Sequence, residues 1–327
     1  MKYKAFNGTD LKVSPVCLGT VNYGTVLSKE ECKAQLSQYL DNGGNFVDSA
    51  HIYGDWGDGP RSISEKIVGE WFKETGNRDK IVLATKGSHP TWGQMDIPRV
   101  NQKCIEMDAN ESLTFLNTDY IDLYFLHRDD PNVSVAEIME CLDSLRKAGK
   151  IRYYGCSNWA LPRIREAQAY CMEHGLQGFS CNQLMWSLPD INFYNLEDKT
   201  FILMDEETHQ YHADTGLNVM AYMSVAKGYL ARRAAGEKLP SGVSNVYTNP
   251  SNDAIFEYVQ AIAQEGKYSY MDLTYMYIMA EKAFPAVPIA SFDNPAHLQE
   301  CVSAMEKEIP TQVIGKLTEM KRYVYWK

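Results

Sequence analysis

Four side chains able to hold or move a proton stand at or just past the ends of apolar, strand-like runs. The segment FVDSAHIYG at 46–54 carries Asp48 and then Tyr53, IVLATK at 81–86 ends in Lys86, and YIDLYFLH at 120–127 ends in His127. A phenol with a pKa near ~10 is a poor acid unless its anion is stabilised; a neighbouring ammonium lowers that pKa, and a carboxylate holds the ammonium in place. An imidazole donating to a carbonyl oxygen orients it and stabilises the negative charge that develops there. A phenol that protonates a carbonyl oxygen needs a hydride for the carbon. Side chains cannot supply one, so a nicotinamide cofactor is implied. Taken singly, Lys86 reads as a solvated strand end and His127 as a satisfied histidine. The four together point to carbonyl chemistry.

Such a group needs a frame that brings strand ends together. Strand-like runs recur at Val16–Gly19, Asn45–Ser49, Ile81–Lys86, Asp119–His127, Ile151–Ser157, Gly178–Asn182, Asn218–Met223 and Ala286–Ile289. They are apolar without clean alternation, as parallel strands buried on both faces are. Helix-like stretches lie between them at Ser28–Asn42, Ser62–Thr75, Pro98–Leu116, Ser134–Ala148 and Leu161–His174. In the fourth of these Ile138, Leu142 and Leu145 share one face. Ser28 with Glu31 forms a capping-box start, Pro98 suits a first helical turn, and Gly43, Gly44 and Gly149 mark helix ends. The alternation predicts right-handed βαβ units and an α/β fold, a closed (β/α)8 barrel of the TIM type. A doubly wound sheet is the runner-up, but no G-x-G-x-x-G follows the first strand. Met1–Ser14 reads as a hairpin turning at Asn7-Gly8. Tyr53–Arg61, Lys86–Arg99 and Lys227–Asn252 read as loops on the C-terminal face, where barrels build their sites. Met271–Phe284 reads as a packed helix.

Composition narrows the function further. The 327 residues are 45% apolar and 12% aromatic, which excludes disorder and small disulfide scaffolds. Residues 1–327 are expected to form one domain. With 32 Lys and Arg against 42 Asp and Glu the net charge is −10, unsuited to bulk nucleic-acid binding. No apolar run is long enough for a membrane span, and the N-terminal segment has no signal-like stretch. The eight cysteines (Cys17, Cys32, Cys104, Cys141, Cys156, Cys171, Cys181, Cys301) are scattered without a C-x-x-C pair, so buried free thiols in the cytoplasm and no metal site are expected.

The chain resembles the aldo-keto reductase family nearly end to end. The resemblance is carried by LGTVNYG at 18–24, NFVDSAHIYG at 45–54, IVLATK at 81–86, NTDYIDLYFLH at 117–127, GKIRYYGCSNW at 149–159 and CNQLMWS at 181–187. AYMSVAKGYL at 221–230 is similar to the family's pyrophosphate loop, and VPIASFDNPAHLQEC at 287–301 to its adenosine-binding stretch. The resemblance implies Tyr53 as general acid/base tuned by Lys86 and Asp48, with His127 orienting the substrate. It implies Ser157, Asn158 and Gln183 on the nicotinamide carboxamide, Tyr222 stacked on its ring, and Gly19 and Thr20 beside the cofactor. Ser224, Val225 and Lys227 then belong to the pyrophosphate loop; Ser291, Phe292, Asp293, His297, Glu300 and Cys301 belong to the adenosine stretch. The cofactor implied is NAD(P)H, without metal.

Aligned on Glu300, the family's usual Lys for the 2′-phosphate falls at Ser291, its usual Arg at His297, and its usual Asn at Cys301, while Asp293 adds a negative charge. A dianionic phosphate needs cationic partners, so NADH is expected to be tolerated or preferred, unless Lys227, Arg232 or Arg233 compensates. The pyrophosphate loop also has Met223-Ser224 where the family commonly has Ser-Pro. Tyr23, His51, Trp56, Trp92, Arg128 and Trp159 are candidate pocket residues, suiting a small carbonyl or sugar-like partner. The alternative function is a nicotinamide-binding regulatory or redox-sensing subunit. The complete set of four favours the enzyme, because a sensor needs no tuned acid.

Overall fold

A computed structural model describes residues 1–325 of the chain, the last of them without its side chain; the final two residues of the expected domain lie outside them. Two short strands come first, β1 (Lys4–Ala5) and β2 (Lys12–Val13), followed by β3 (Cys17–Gly19), α1 (Lys29–Asp41), β4 (Phe46–Asp48) and α2 (Ile63–Thr75). Next come β5 (Val82–Gly87), α3 (Gln102–Phe115), β6 (Ile121–Leu126), α4 (Val135–Lys147), β7 (Ile151–Ser157), α5 (Leu161–His174) and β8 (Cys181–Met185). The chain continues through β9 (Ile191–Asn192), α6 (Glu206–Thr215), β10 (Asn218–Tyr222), α7 (Tyr229–Ala234), α8 (Ser241–Tyr247) and α9 (Pro250–Gln264). Its last elements are α10 (Tyr270–Met279), β11 (Ala286–Ala290), α11 (Pro295–Glu306), α12 (Thr311–Met320) and β12 (Val324–Tyr325).

Eight parallel strands close into a barrel in the order β3-β4-β5-β6-β7-β8-β10-β11, and β11 returns to β3 through Ile289 opposite Cys17. The doubly wound alternative is thereby excluded. Gly19 pairs with Asp48 and Asp48 with Ala84, so the strand ends that carry the chemistry lie in register. The β1–β2 hairpin covers the other end: Phe6, Leu11 and Val13 pack with the barrel interior at Phe46, Leu123, Phe125 and Met220. Asn218, the first residue of β10, fixes the hairpin by exchanging two hydrogen bonds with the Asn7 backbone, at 2.8 and 2.9 Å.

The helices form where the sequence predicts, with caps that explain their limits. Ser28 and Glu31 make the expected capping box, and Ile138, Leu142 and Leu145 are buried on one face of α4. Three expectations shift. The third helix starts after Asn101, whose side chain accepts from the Cys104 N–H, so Pro98 belongs to the preceding loop. The sixth barrel strand is Cys181–Met185, not Gly178–Asn182, because Gln168 takes the Phe179 N–H and donates to the Phe179 carbonyl, removing both from the ladder. The segment 227–252 is mostly helical: Tyr229, Leu230, Val243, Val246 and Tyr247 bury themselves in one apolar cluster. The small parallel pairing of β12 with β9 has no counterpart in the sequence reading.

Candidate active site

Asp48 ends β4, Lys86 is the penultimate residue of β5, and His127 immediately follows β6, so barrel closure alone brings the three to one mouth. Tyr53 reaches the same point from the turn after β4. The Lys86 Nζ lies 2.6 Å from Asp48 Oδ2, 2.6 Å from the Ser49 carbonyl oxygen and 3.0 Å from Tyr53 Oη. An ammonium has three hydrogens, and all three are taken. Tyr53 Oη accepts the third, which leaves the phenol's own hydrogen to point elsewhere. Gln183 Nε2 donates to the second Asp48 oxygen at 2.9 Å, so the carboxylate is held on both sides.

Lys86 and Asp48 are almost fully shielded from solvent. Burial alone would push the Lys86 ammonium down, but Asp48 and the Tyr53 oxygen more than offset it and hold the group above its usual range. The sequence reading has the ammonium lowering the phenol's pKa. In the structure burial is the larger effect and raises Tyr53, with Lys86 opposing it, so the phenol is protonated at neutral pH. Burial, with the neighbouring His89, Arg128 and Lys86, keeps His127 far below the ordinary histidine range and hence neutral. Its ring is 5.9 Å from that of Tyr53, and its Nδ1 is buried without a hydrogen-bond partner among the described residues. A neutral imidazole beside a protonated phenol can donate to one oxygen from two sides.

These groups open on a cavity of about 560 Å³. Gly19, Ser157, Asn158, Gln183, Tyr222, Ser224, Val225, Lys227 and Ser291 line it, together with Trp56, Trp92 and Arg128. A Cβ on Gly19 would come within 2.7 Å of Ser291 Oγ and 2.8 Å of Ile289 Cγ2, so a side chain there would push aside two residues of the cavity lining. Asn158, at φ +59°, accepts from the Tyr222 hydroxyl at 2.6 Å and so ties β7 to β10. Ser224 Oγ donates to the Ile289 carbonyl at 2.7 Å. The Lys227 ammonium forms no ion pair among the described residues. The lining thus presents side-chain amides, an aromatic ring, hydroxyls and the Lys227 ammonium, a donor set that fits a nicotinamide dinucleotide.

Other expected residues are placed elsewhere. Thr20 is buried behind Asp48, its N–H donating to the Asp48 carbonyl at 2.9 Å. Tyr23 is a core residue that donates to Gln35, and Trp159 is enclosed against Phe179, donating to the Arg128 carbonyl. His51 is buried with Nε2 2.7 Å from Glu111. Together with Asp108 these make a grouping of metal-ligand types whose donor atoms lie within 4.8 Å of one another, which no spacing in the sequence announces. Its charges are met by protein: Asp108 takes Arg99, and Glu111 takes His51 and Arg61. In the adenosine stretch Phe292 and Cys301 are buried, Glu300 accepts from Ser269, and Asp293 and His297 pair with each other at 3.2 Å on the exposed surface. Arg232 pairs with Glu237 and Arg233 with Asp253 at the surface.

Cavity residues that the sequence reading passed over include Ile52, His89, Met95, Asp198 and Phe201. His89 follows Lys86 by three residues and was legible as a mouth-loop position. Asp198 and Phe201 come from the segment after β9, folded over the mouth by Arg128, which donates to Asp198 at 3.1 Å and to Thr200 at 3.0 Å. No local pattern marks them.

The sequence pattern of the aldo/keto reductase family matches residues 15–322. The chain is 34% identical to the oxidoreductase YrpG of Bacillus subtilis over 239 residues, 72% of this chain and 69% of YrpG. It is 35% identical to the norsolorinic acid reductase stcV of Emericella nidulans over 190 residues, 54% of this chain and about half (48%) of that relative's length. It is 24% identical to the aryl-alcohol dehydrogenase GME11368 of Pestalotiopsis microspora over 320 residues, 94% of this chain and 78% of the relative.

Proposed function

The chain belongs to the aldo/keto reductase family, and we propose that it interconverts a carbonyl compound and its alcohol, with Tyr53 as the acid and base. The observation that carries this reading is the saturated Lys86 ammonium, with contacts at 2.6, 2.6 and 3.0 Å, which leaves the phenol hydrogen free for a substrate oxygen. Reduction then runs as follows. Neutral His127 donates to the carbonyl oxygen and orients it. Tyr53 gives its proton to that oxygen as negative charge builds there, and Lys86 stabilises the phenolate left behind. Asp48 keeps Lys86 charged and aimed. In alcohol oxidation the same groups work in reverse. A bound reduced nicotinamide supplies the hydride, and Ser157, Asn158, Gln183 and Tyr222 are the residues that would hold its ring end.

NADH is the cofactor we expect to be tolerated or preferred, because His297 is spent on Asp293, Arg232 and Arg233 on their own carboxylates, and Ser291 carries no charge. The substrate is a ring-bearing aldehyde or ketone. Trp56 and Trp92 lie 5.9 Å apart at the mouth, with Ile52, Met95 and Phe201 adding apolar wall; a relative named as an aryl-alcohol dehydrogenase agrees with that shape. Residues 1–327 act as one unit, and eight free cysteines support a cytoplasmic setting. The test is loss of nicotinamide absorbance with a panel of aryl aldehydes, aryl ketones and aliphatic sugars, with each cofactor in parallel. We expect turnover highest for the aryl compounds; turnover confined to sugars would contradict the ring-bearing class.

A further inference from the structure

Beside His127 the cavity wall carries a second imidazole that the acid chain does not use. His89 is buried to 8% exposure, lines the cavity, and has its ring centroid 4.7 Å from that of His127. Its Nδ1 is 2.8 Å from the Pro90 carbonyl oxygen. A carbonyl only accepts, so Nδ1 carries the hydrogen. Burial and the nearby Arg128 bring the ring's pKa down to about 4, which leaves it neutral. One nitrogen then remains, Nε2, with a lone pair and no hydrogen-bond donor among the described residues.

The fold holds this ring firmly. Arg99 Nη1 donates to the His89 carbonyl at 2.9 Å and is itself clamped by Asp108. The preceding Ser88 gives its N–H to Asp108 at 2.8 Å, in a left-handed turn at φ +61°. An acceptor fixed in this way in the cavity lining loses its hydration when a ring-bearing substrate covers it. Unless the substrate offers a donor in exchange, binding is penalised.

Building on the carbonyl-reductase reading, we propose that His89 is a specificity-determining residue: its Nε2 accepts a hydrogen bond from a hydroxyl carried on the first or second carbon beyond the substrate's carbonyl. The two rings adjoin, at 4.7 Å between centroids, so a substrate whose carbonyl oxygen meets His127 carries its neighbouring carbons past His89. The substrate class is therefore a hydroxylated, ring-bearing aldehyde or ketone, and a deoxy analogue is discriminated against.

The test compares 2-hydroxy-1-phenylethanone with acetophenone in the wild type, His89→Leu and His89→Gln. Dividing the kcat/KM values of the two ketones, and following how the quotient changes between variants, cancels their unequal intrinsic reactivity. Leucine should lower the hydroxy-to-deoxy quotient about ten-fold or more, chiefly through KM for the hydroxylated ketone, with a smaller change for acetophenone. Glutamine, whose amide oxygen still accepts, should restore part of it. A quotient unchanged in His89→Leu, or an equal fall for both ketones as a purely structural prop of His127 would give, overturns the proposal. If the wild type reduces neither ketone, the reductase reading is at fault. Calorimetric binding of the same two compounds then decides the His89 question: a hydroxyl preference lost in His89→Leu upholds it, and no preference in the wild type overturns it.

Discussion

An ammonium as buried as that of Lys86 is tolerated only when each hydrogen has an acceptor, and Asp48, the Ser49 carbonyl and Tyr53 supply them. Lys86 was legible through its companions and not by itself. The four residue types at successive strand ends, taken together, pointed to this group. The cofactor-facing charges are a second residue-scale matter. His297 and Asp293 are each more than half exposed and satisfy one another, so neither offers a desolvated charge to a phosphate. Converting Ser291→Lys together with His297→Arg should shift the NADPH-to-NADH affinity ratio toward NADPH by about ten-fold or more, since each charge-assisted contact is worth roughly 1.5–3 kcal/mol. Fluorescence titration of wild type and double variant with both cofactors measures the shift. A wild type that already prefers NADPH by about a hundred-fold would instead assign the clamp to Lys227. What residue types could not disclose was burial: Tyr23, His51 and Trp159 have the chemistry of pocket residues, yet the core claims all three.

At the scale of elements, the site depends on how closely the outer helices seat against the strands. Glu65 of α2 accepts from Thr85 of β5 at 2.6 Å, and Ser64 donates to Thr20 Oγ1 at 2.7 Å, so α2 buttresses the mouth strands from behind. Gly69 lets α2 pack closely against the C-terminal end of α3. A Cβ there would fall 2.0 Å from the Phe115 carbonyl oxygen and 2.7 Å from the Leu116 carbonyl carbon, both backbone atoms that cannot swing away. Gly69→Ala should therefore destabilise the protein by roughly 1–3 kcal/mol or more in urea unfolding, although alanine favours a helix. A change within about 0.5 kcal/mol would show that α2 and α3 separate freely. Elements with strong period or cap signals, such as α1 and α4, were legible to within a residue. The shifts at Pro98 and Gly178 came from side chains, Asn101 and Gln168, that bind backbone and override propensity. β9 and the short helices after Lys227 exist through tertiary burial, and neither they nor β12 has a period of its own.

For the molecule as a whole, closure of the barrel does the assembling: Asp48, Lys86, His127 and Gln183 come from β4, β5, the end of β6 and β8, four positions spread over 135 residues that only a cylinder brings to one mouth. The hydrophobic runs and their alternation with helices made that closure legible. The loops crossing the mouth, which bring His89, Asp198 and Phe201 against the cavity, were not, because their course follows contacts such as Arg128 with Asp198 and not a pattern. Among the described residues no helix is long and apolar enough to cross a membrane. The central claim, that this frame exists to aim one phenol hydrogen at a carbonyl oxygen, is tested most directly with Tyr53→Phe. That change removes the hydroxyl alone, so nicotinamide oxidation by an aryl ketone should fall by about 10²–10⁴ while cofactor affinity by fluorescence titration stays the same. A variant that keeps the wild-type rate would show that the proton comes from another group and would contradict the account.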